Sequence, residues 1–165
     1  MVAAALSCWT PPVVAPVERA FEAPACAWCP GHRGLRYDTT TGTPVVAPTA
    51  GRVSFAGAVA GNRWVTITEP AGRRITVGPL RSVGVQVGAT VVAGQAVGRA
   101  GDHLLLSVRT PAGSDGAYLD PADLVGRLVG RPRLVPTGGR TPSPAAGRAV
   151  LRCPGPPGVT AARSG

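Results

Sequence analysis

From Thr43 onward, apolar and polar residues alternate in short runs separated by glycine-bearing pairs. Val45-Val46-Ala47-Pro48 is followed by Ala50-Gly51 as a turn and then by Arg52-Val53-Ser54-Phe55-Ala56. Gly61-Asn62 forms a second turn before Trp64-Val65-Thr66-Ile67-Thr68, and Ala71-Gly72 turns into Arg74-Ile75-Thr76-Val77. A period of two with glycine turns at this spacing predicts antiparallel hairpins. Pro44 and Pro48 push their strand to an edge or an end, because proline cannot donate to a ladder. Between Val83 and Gly98, glycine cuts the apolar residues every few positions, which is how a barrel-like sandwich turns tight corners. His103-Leu104-Leu105-Leu106-Ser107-Val108 is the last clear strand, and its period places His103, Leu105 and Ser107 on one face.

The two ends read differently. Residues 9–31 are rich in Pro and Ala without periodicity, so residues 1–30 form an arm expected to lie extended on the domain, with Val13, Val14, Val17 and Phe21 as anchors. Near the other end, Asp120 is a sound N-cap, Pro121 suits the first helical position and Asp123 favours the helix dipole. These residues predict a short helix from about 121 to 129, which closes a domain over 31–129. From residue 126 onward there are seven Arg, eight Gly and seven Pro with no acidic and no aromatic residue. Such a segment buries too little apolar surface to fold, so 130–165 is expected to be a disordered tail.

Composition narrows the chemistry. Gly and Pro supply 41 of the 165 residues, and only seven are aromatic. The core must therefore be built from Val, Ala and Leu, which favours strands and turns over long helices. No apolar run is long enough to span a membrane as a helix. All 17 basic residues are Arg. The absence of lysine excludes Schiff-base chemistry, the P-loop lysine, and lipoyl or biotinyl attachment. Residues 126–165 carry +7 of the net charge of +9, so the rest of the chain is nearly neutral. A basic tail suits an anionic cell-wall polymer or lipid headgroups. Without interleaved aromatics to stack on bases, specific nucleic-acid recognition is not expected.

The apolar piece Val2 to Leu6 lacks a positive charge, and the stretch before Cys8 is too short for a lipoprotein signal. This leaves two readings open: the protein is not exported, or the start sits inside a longer signal of which residues 1–8 are the remnant. The four cysteines, Cys8, Cys26, Cys29 and Cys153, permit three pairings. Cys26 and Cys29 form C-x-x-C with His32 close behind, but a structural zinc site needs a fourth ligand. A thioredoxin-type motif needs a helix start, which Pro30 and Gly31 disfavour. A local disulfide or two free thiols remain.

Several segments together resemble the lysostaphin-like (LytM-like) zinc metallopeptidases, which cut peptide bonds in bacterial peptidoglycan. They are Gly31-His32-Arg33-Gly34-Leu35, Gly42 to Pro48, Gly51 to Gly57, Val87-Gly88 with Ala93-Gly94-Gln95, and Tyr118-Leu119-Asp120-Pro121. They occur in family order and match best from 31 to 121, and the proline-rich arm resembles the actinobacterial variant. The resemblance implies an all-β fold, a small antiparallel barrel-sandwich of the duplicated hybrid type. It also implies a zinc held by two histidines and one aspartate. The first ligand position falls on His32, the aspartate position on Arg36, the catalytic histidine on His103 and the second histidine ligand on Leu105. The family's further active-site Tyr and His fall near Val77 and Pro79.

The replacements have direct chemical consequences. Leucine has no lone pair, and arginine has no acceptor and stays protonated, so neither can ligate a metal. Without the metal, the attacking water keeps its ordinary, high pKa. The resemblance therefore implies a degenerate, non-catalytic domain of the cell envelope or secreted space, monomeric and without a cofactor. It would bind peptidoglycan peptides or regulate a cell-wall hydrolase through a groove bounded by His32, Arg36 and His103. Arg36 would stand in the vacant metal position, where its guanidinium suits a peptide carboxylate, or simply reach solvent. The alternative is an active zinc endopeptidase using His32, Asp38 and His103, which needs a bulge or slipped register to bring Asp38 into place. A third reading is a fold retained without a task.

Overall fold

The structure is a computed structural model, and it describes residues 8–26, 28–111, 116–129 and 150–154. Its strands are β1 (Val17–Arg19), β2 (Leu35–Asp38), β3 (Pro44–Val46), β4 (Gly51–Val59), β5 (Asn62–Thr68), β6 (Arg74–Val83), β7 (Thr90–Val91), β8 (Ala96–Arg109), β9 (Tyr118–Leu119), β10 (Arg127–Val129) and β11 (Val150–Arg152). All but the last two form one sheet in the order β1-β2-β8-β6-β5-β4-β7, with β3 and β9 also pairing with β8. Every strand pair is antiparallel. The fold is the expected all-β one, although the sheet does not close into a barrel.

The alternation in the sequence builds the core directly. Val65 and Ile67 in β5, Ile75 and Val77 in β6, and Leu104, Leu106 and Val108 in β8 point inward and are fully buried. Burying each such side chain contributes about 1.5–3 kcal/mol. The intervening residues face outward, where Thr66 and Thr76 join hydroxyls at 2.9 Å across β5 and β6. β8 is the longest strand at 14 residues. It accepts β2, β3, β6 and β9 as partners, so whatever it displays on its outer face sits at the middle of the sheet.

Four expectations change. The β4–β5 turn centres on Ala60 and Gly61, both with positive φ, rather than on Gly61-Asn62. Two successive positive φ values match the twist of a hairpin. The arm does lie along the domain, but its buried anchors are Trp9, Pro12 and Val13, while Val14 is 84% and Val17 49% exposed. The arm bonds through Trp9 to Leu124, Thr10 to Pro48 and Val46 to Pro12. That register turns Val13 inward and Val14 out. Trp9 also lies beneath the Arg73 guanidinium, 5.0 Å from its ring centre, and Arg73 pairs with the buried Glu69.

The expected helix over 121–129 is only a 3₁₀ turn at Pro121–Asp123. Asp120 caps it as anticipated, its carboxylate accepting from the Ala122 amide at 2.8 Å. Val125 then bridges in parallel to Trp9, and 127–129 runs as β10 against β11. Tertiary pairing outcompetes a weak local signal that a glycine at 126 already undermines. Within the segment read as a disordered tail, Val150–Arg152 is thus a strand, and Cys153 is bonded to Cys8. Cys26 and Cys29 form the second disulfide. The rest of that tail, and residues 1–7 of the export remnant, lie outside the described residues.

Candidate functional site

β2 and β8 pair with Arg36 opposite Leu105 and Asp38 opposite His103. Their neighbours Leu35, Tyr37, Leu104 and Leu106 are buried, so these four residues share the outward face. The sheet therefore places Arg36, Asp38, His103 and Leu105 together on its outer face. Residues directly opposite in an antiparallel pair hold their Cβ atoms about 5 Å apart.

The surroundings of Arg36 were not legible in the sequence. β1 runs along β2 with Val17 opposite Tyr37 and Arg19 opposite Arg36, across a bulge. Between them Glu18 reaches the outward face, where its Oε2 lies 3.0 Å from Arg36 Nε. The contact is an ion pair rather than an aligned hydrogen bond, since Nε has no hydrogen-bond partner. Neither side chain is deeply buried, so the pair contributes at most about 1 kcal/mol. Nothing in an aperiodic proline-rich arm announces that Glu18 would land there.

His32 lies four residues before Arg36, just ahead of β2, in an isolated bridge with Glu22. Glu22 and His32 bridge through two backbone hydrogen bonds of 2.8 and 2.9 Å, and His32 Nδ1 lies 2.8 Å from the Ala20 carbonyl oxygen. The same arm that sets Glu18 on Arg36 thus holds the His32 ring. His103 Nδ1 lies 2.7 Å from Asp102 Oδ1. That hydrogen bond, and the imidazole's charge when protonated, hold the Asp102 carboxyl below its usual value. Any stability from this pair is present above the carboxyl's unfolded pKa and is lost as pH falls through the depressed folded value. His103→Ala is expected to raise the Asp102 pKa toward the ordinary carboxylate range, as read by NMR titration of its side-chain carbon.

These residues do not fit a zinc. Arg36 and Leu105 offer no electron pair. Among the described residues, no three His, Cys, Asp or Glu side chains gather as a metal-holding group. His32, Asp38 and His103 do not form such a group among the described residues, and β2 pairs with β8 without the bulge or slip that set needs. Arg36 also brings a permanent cation to the face where a dication would sit.

Two cavities flank this face. An apolar one of about 890 Å³ lies under the arm, on the inner side of β2, where burial pushes the Tyr37 hydroxyl up to about 12. A polar one of about 590 Å³ opens beside His103 and Asp102 and includes Arg63 and Arg81. The sequence reading passed over both arginines, which carry no motif.

The comparisons with known proteins agree with this architecture. Residues 30–114 match Peptidase family M23. An uncharacterized protein of Mycobacterium tuberculosis and one of Mycobacterium bovis are each 33% identical over 133 residues, which is 76% of this chain and 53% of theirs. The chain thus spans about half the length of the curated relatives it matches. Among solved structures, the catalytic domain of the antimicrobial peptidase lysostaphin from Staphylococcus simulans superposes with a TM-score of 0.58 at 24% identity, covering 65% of this chain and 89% of that one. Helicobacter pylori Csd3 gives 0.61 at 23% identity, covering 72% and 34%. At these identities the likeness speaks for the fold alone. With the family match extending over half the chain, the chain belongs to Peptidase family M23.

Proposed function

We propose that this chain is a non-catalytic M23 domain of the bacterial cell envelope that binds peptidoglycan peptides, either for its own anchoring or to regulate a cell-wall hydrolase. The observation that carries the reading is the pairing of Arg36 with Leu105 on the outer face, with Glu18 held 3.0 Å from the guanidinium. The face that would hold a cation and polarise a peptide carbonyl carries a guanidinium that takes a carboxylate instead. Recognition of acidic peptide groups survives such a change, whereas metal-assisted hydrolysis does not.

The test uses purified peptidoglycan sacculi and the full chain with both disulfides intact. The reading expects the protein to sediment with sacculi, in a salt-sensitive manner, and to release no soluble fragments even with added zinc. Zinc-dependent release would instead favour an active peptidase with an altered ligand set. Failure to sediment would remove the binding role.

A further inference from the structure

Arg36 has an internal carboxylate, but two other arginines near His103 have none among the described residues. Arg63 follows the β4–β5 turn, and Arg81 lies in the second half of β6. They line one cleft of about 590 Å³ with Thr41, Asn62, Asp102 and His103. Arg63 Nη1 donates to the Arg81 carbonyl oxygen at 3.0 Å, which fixes the first guanidinium beside the second residue's backbone. The Arg81 side chain makes no hydrogen bond or ion pair among the described residues, and both arginines are exposed. The carboxylate in the lining, Asp102, is already held by His103 at 2.7 Å.

The geometry points to Arg63 and Arg81 as a binding site for the terminal carboxylate of a peptide. Two guanidiniums at one cleft repel each other through solvent until an anion sits between them. Their planar forks match a carboxylate in a bidentate manner, which an ammonium cannot do. The Thr41 hydroxyl and Asn62 amide supply partners for the peptide's own amide groups. Half-buried Pro79 offers an apolar wall for a small terminal side chain. The site lies across His103 from Arg36, so Glu18 does not compete for it. This inference deepens the proposed peptide-binding role and rests on it for the choice of a peptide as ligand.

The test is an NMR titration of the full, disulfide-intact chain with acetyl-D-alanyl-D-alanine, as the free acid and as its C-terminal amide. The free acid is expected to shift the guanidinium signals of Arg63 and Arg81 and the backbone amides of Asn62 and Gly101, and the amide form is expected to leave them in place. Arg81→Gln should weaken the free acid roughly tenfold, the scale of a lost charge-assisted hydrogen bond. Its side chain holds nothing in the fold, so this variant keeps the structure. Arg52→Gln, an exposed β4 residue that does not line this cleft, should leave the affinity unchanged. Equal binding of both forms, no shift at Arg63 and Arg81, or full affinity in Arg81→Gln overturns the site. If sacculi retain the protein while the free acid shifts neither arginine, the site fails and the binding role stands. If the free acid binds as expected but sacculi do not retain the protein, the site stands and the peptidoglycan role falls.

Discussion

Replacing Arg36 with Asp and Leu105 with His together is expected to give a chain that binds one zinc ion, tightening zinc affinity by roughly three orders of magnitude or more. The two positions face each other directly across β2 and β8, so the new carboxylate and imidazole arrive on one face without any change of register. The support for the histidines already exists. His32 Nδ1 is anchored on the Ala20 carbonyl and His103 Nδ1 on Asp102, and among the described residues Nε2 of neither ring has a hydrogen-bond partner. Metal-binding histidines are ordinarily oriented in this way by their other nitrogen. Glu18 loses its cationic partner in this variant, and its charge then adds to the attraction for a dication. Either single replacement should gain far less, since a stable site needs three protein ligands. Calorimetric zinc titration of the three variants checks this. If the double variant gained no more than the singles, the surviving scaffold would not be that of a metal centre.

The second large effect concerns the Cys8–Cys153 bond. It joins residues 145 apart and ties the start of the arm to β11. A crosslink over so long a loop removes much unfolded-state entropy, so Cys153→Ser is expected to cost about 3 kcal/mol. The Cys26–Cys29 bond spans a separation of only 3. Replacing both of those cysteines with Ser should therefore cost much less. Urea unfolding of the two variants, with and without reductant, separates these effects. The Cys153 variant should also loosen the arm, because Trp9 stacks against Arg73 and bridges Val125 close to the same tie. If its urea midpoint matched the natural chain's, the bond would not be holding the ends together.

How much of this was legible in the sequence depends on where the signal lies. The hairpins of β4, β5 and β6 were readable because Val65, Ile67, Ile75 and Val77 alternate with polar residues, and burial follows that alternation. The outward set of His103 and Leu105 followed from the same period. The strand β11 and its disulfide were not readable, because Val150-Leu151-Arg152 lies in a composition typical of disordered chain and pairs with residues far away in sequence. The helix expectation failed for a related reason: its cap was correct, but Val125 and Arg127 found strand partners. At the site, Arg36, Leu105, His32 and His103 were named through the family motif, and the register of β2 on β8 sets Arg36 opposite Leu105. Glu18, Arg63 and Arg81 carry no pattern in one dimension. They became visible only when the register of β1 on β2 and the shape of the cleft were known.

The most direct measurement is equilibrium dialysis of the natural full chain against zinc under non-reducing conditions, followed by elemental analysis of the protein compartment. On the proposed reading, which sets Arg36 and Leu105 at two of the three ligand positions, zinc inside should not exceed zinc in the surrounding buffer. One tightly held zinc per chain, lost on His103→Ala, would contradict the account.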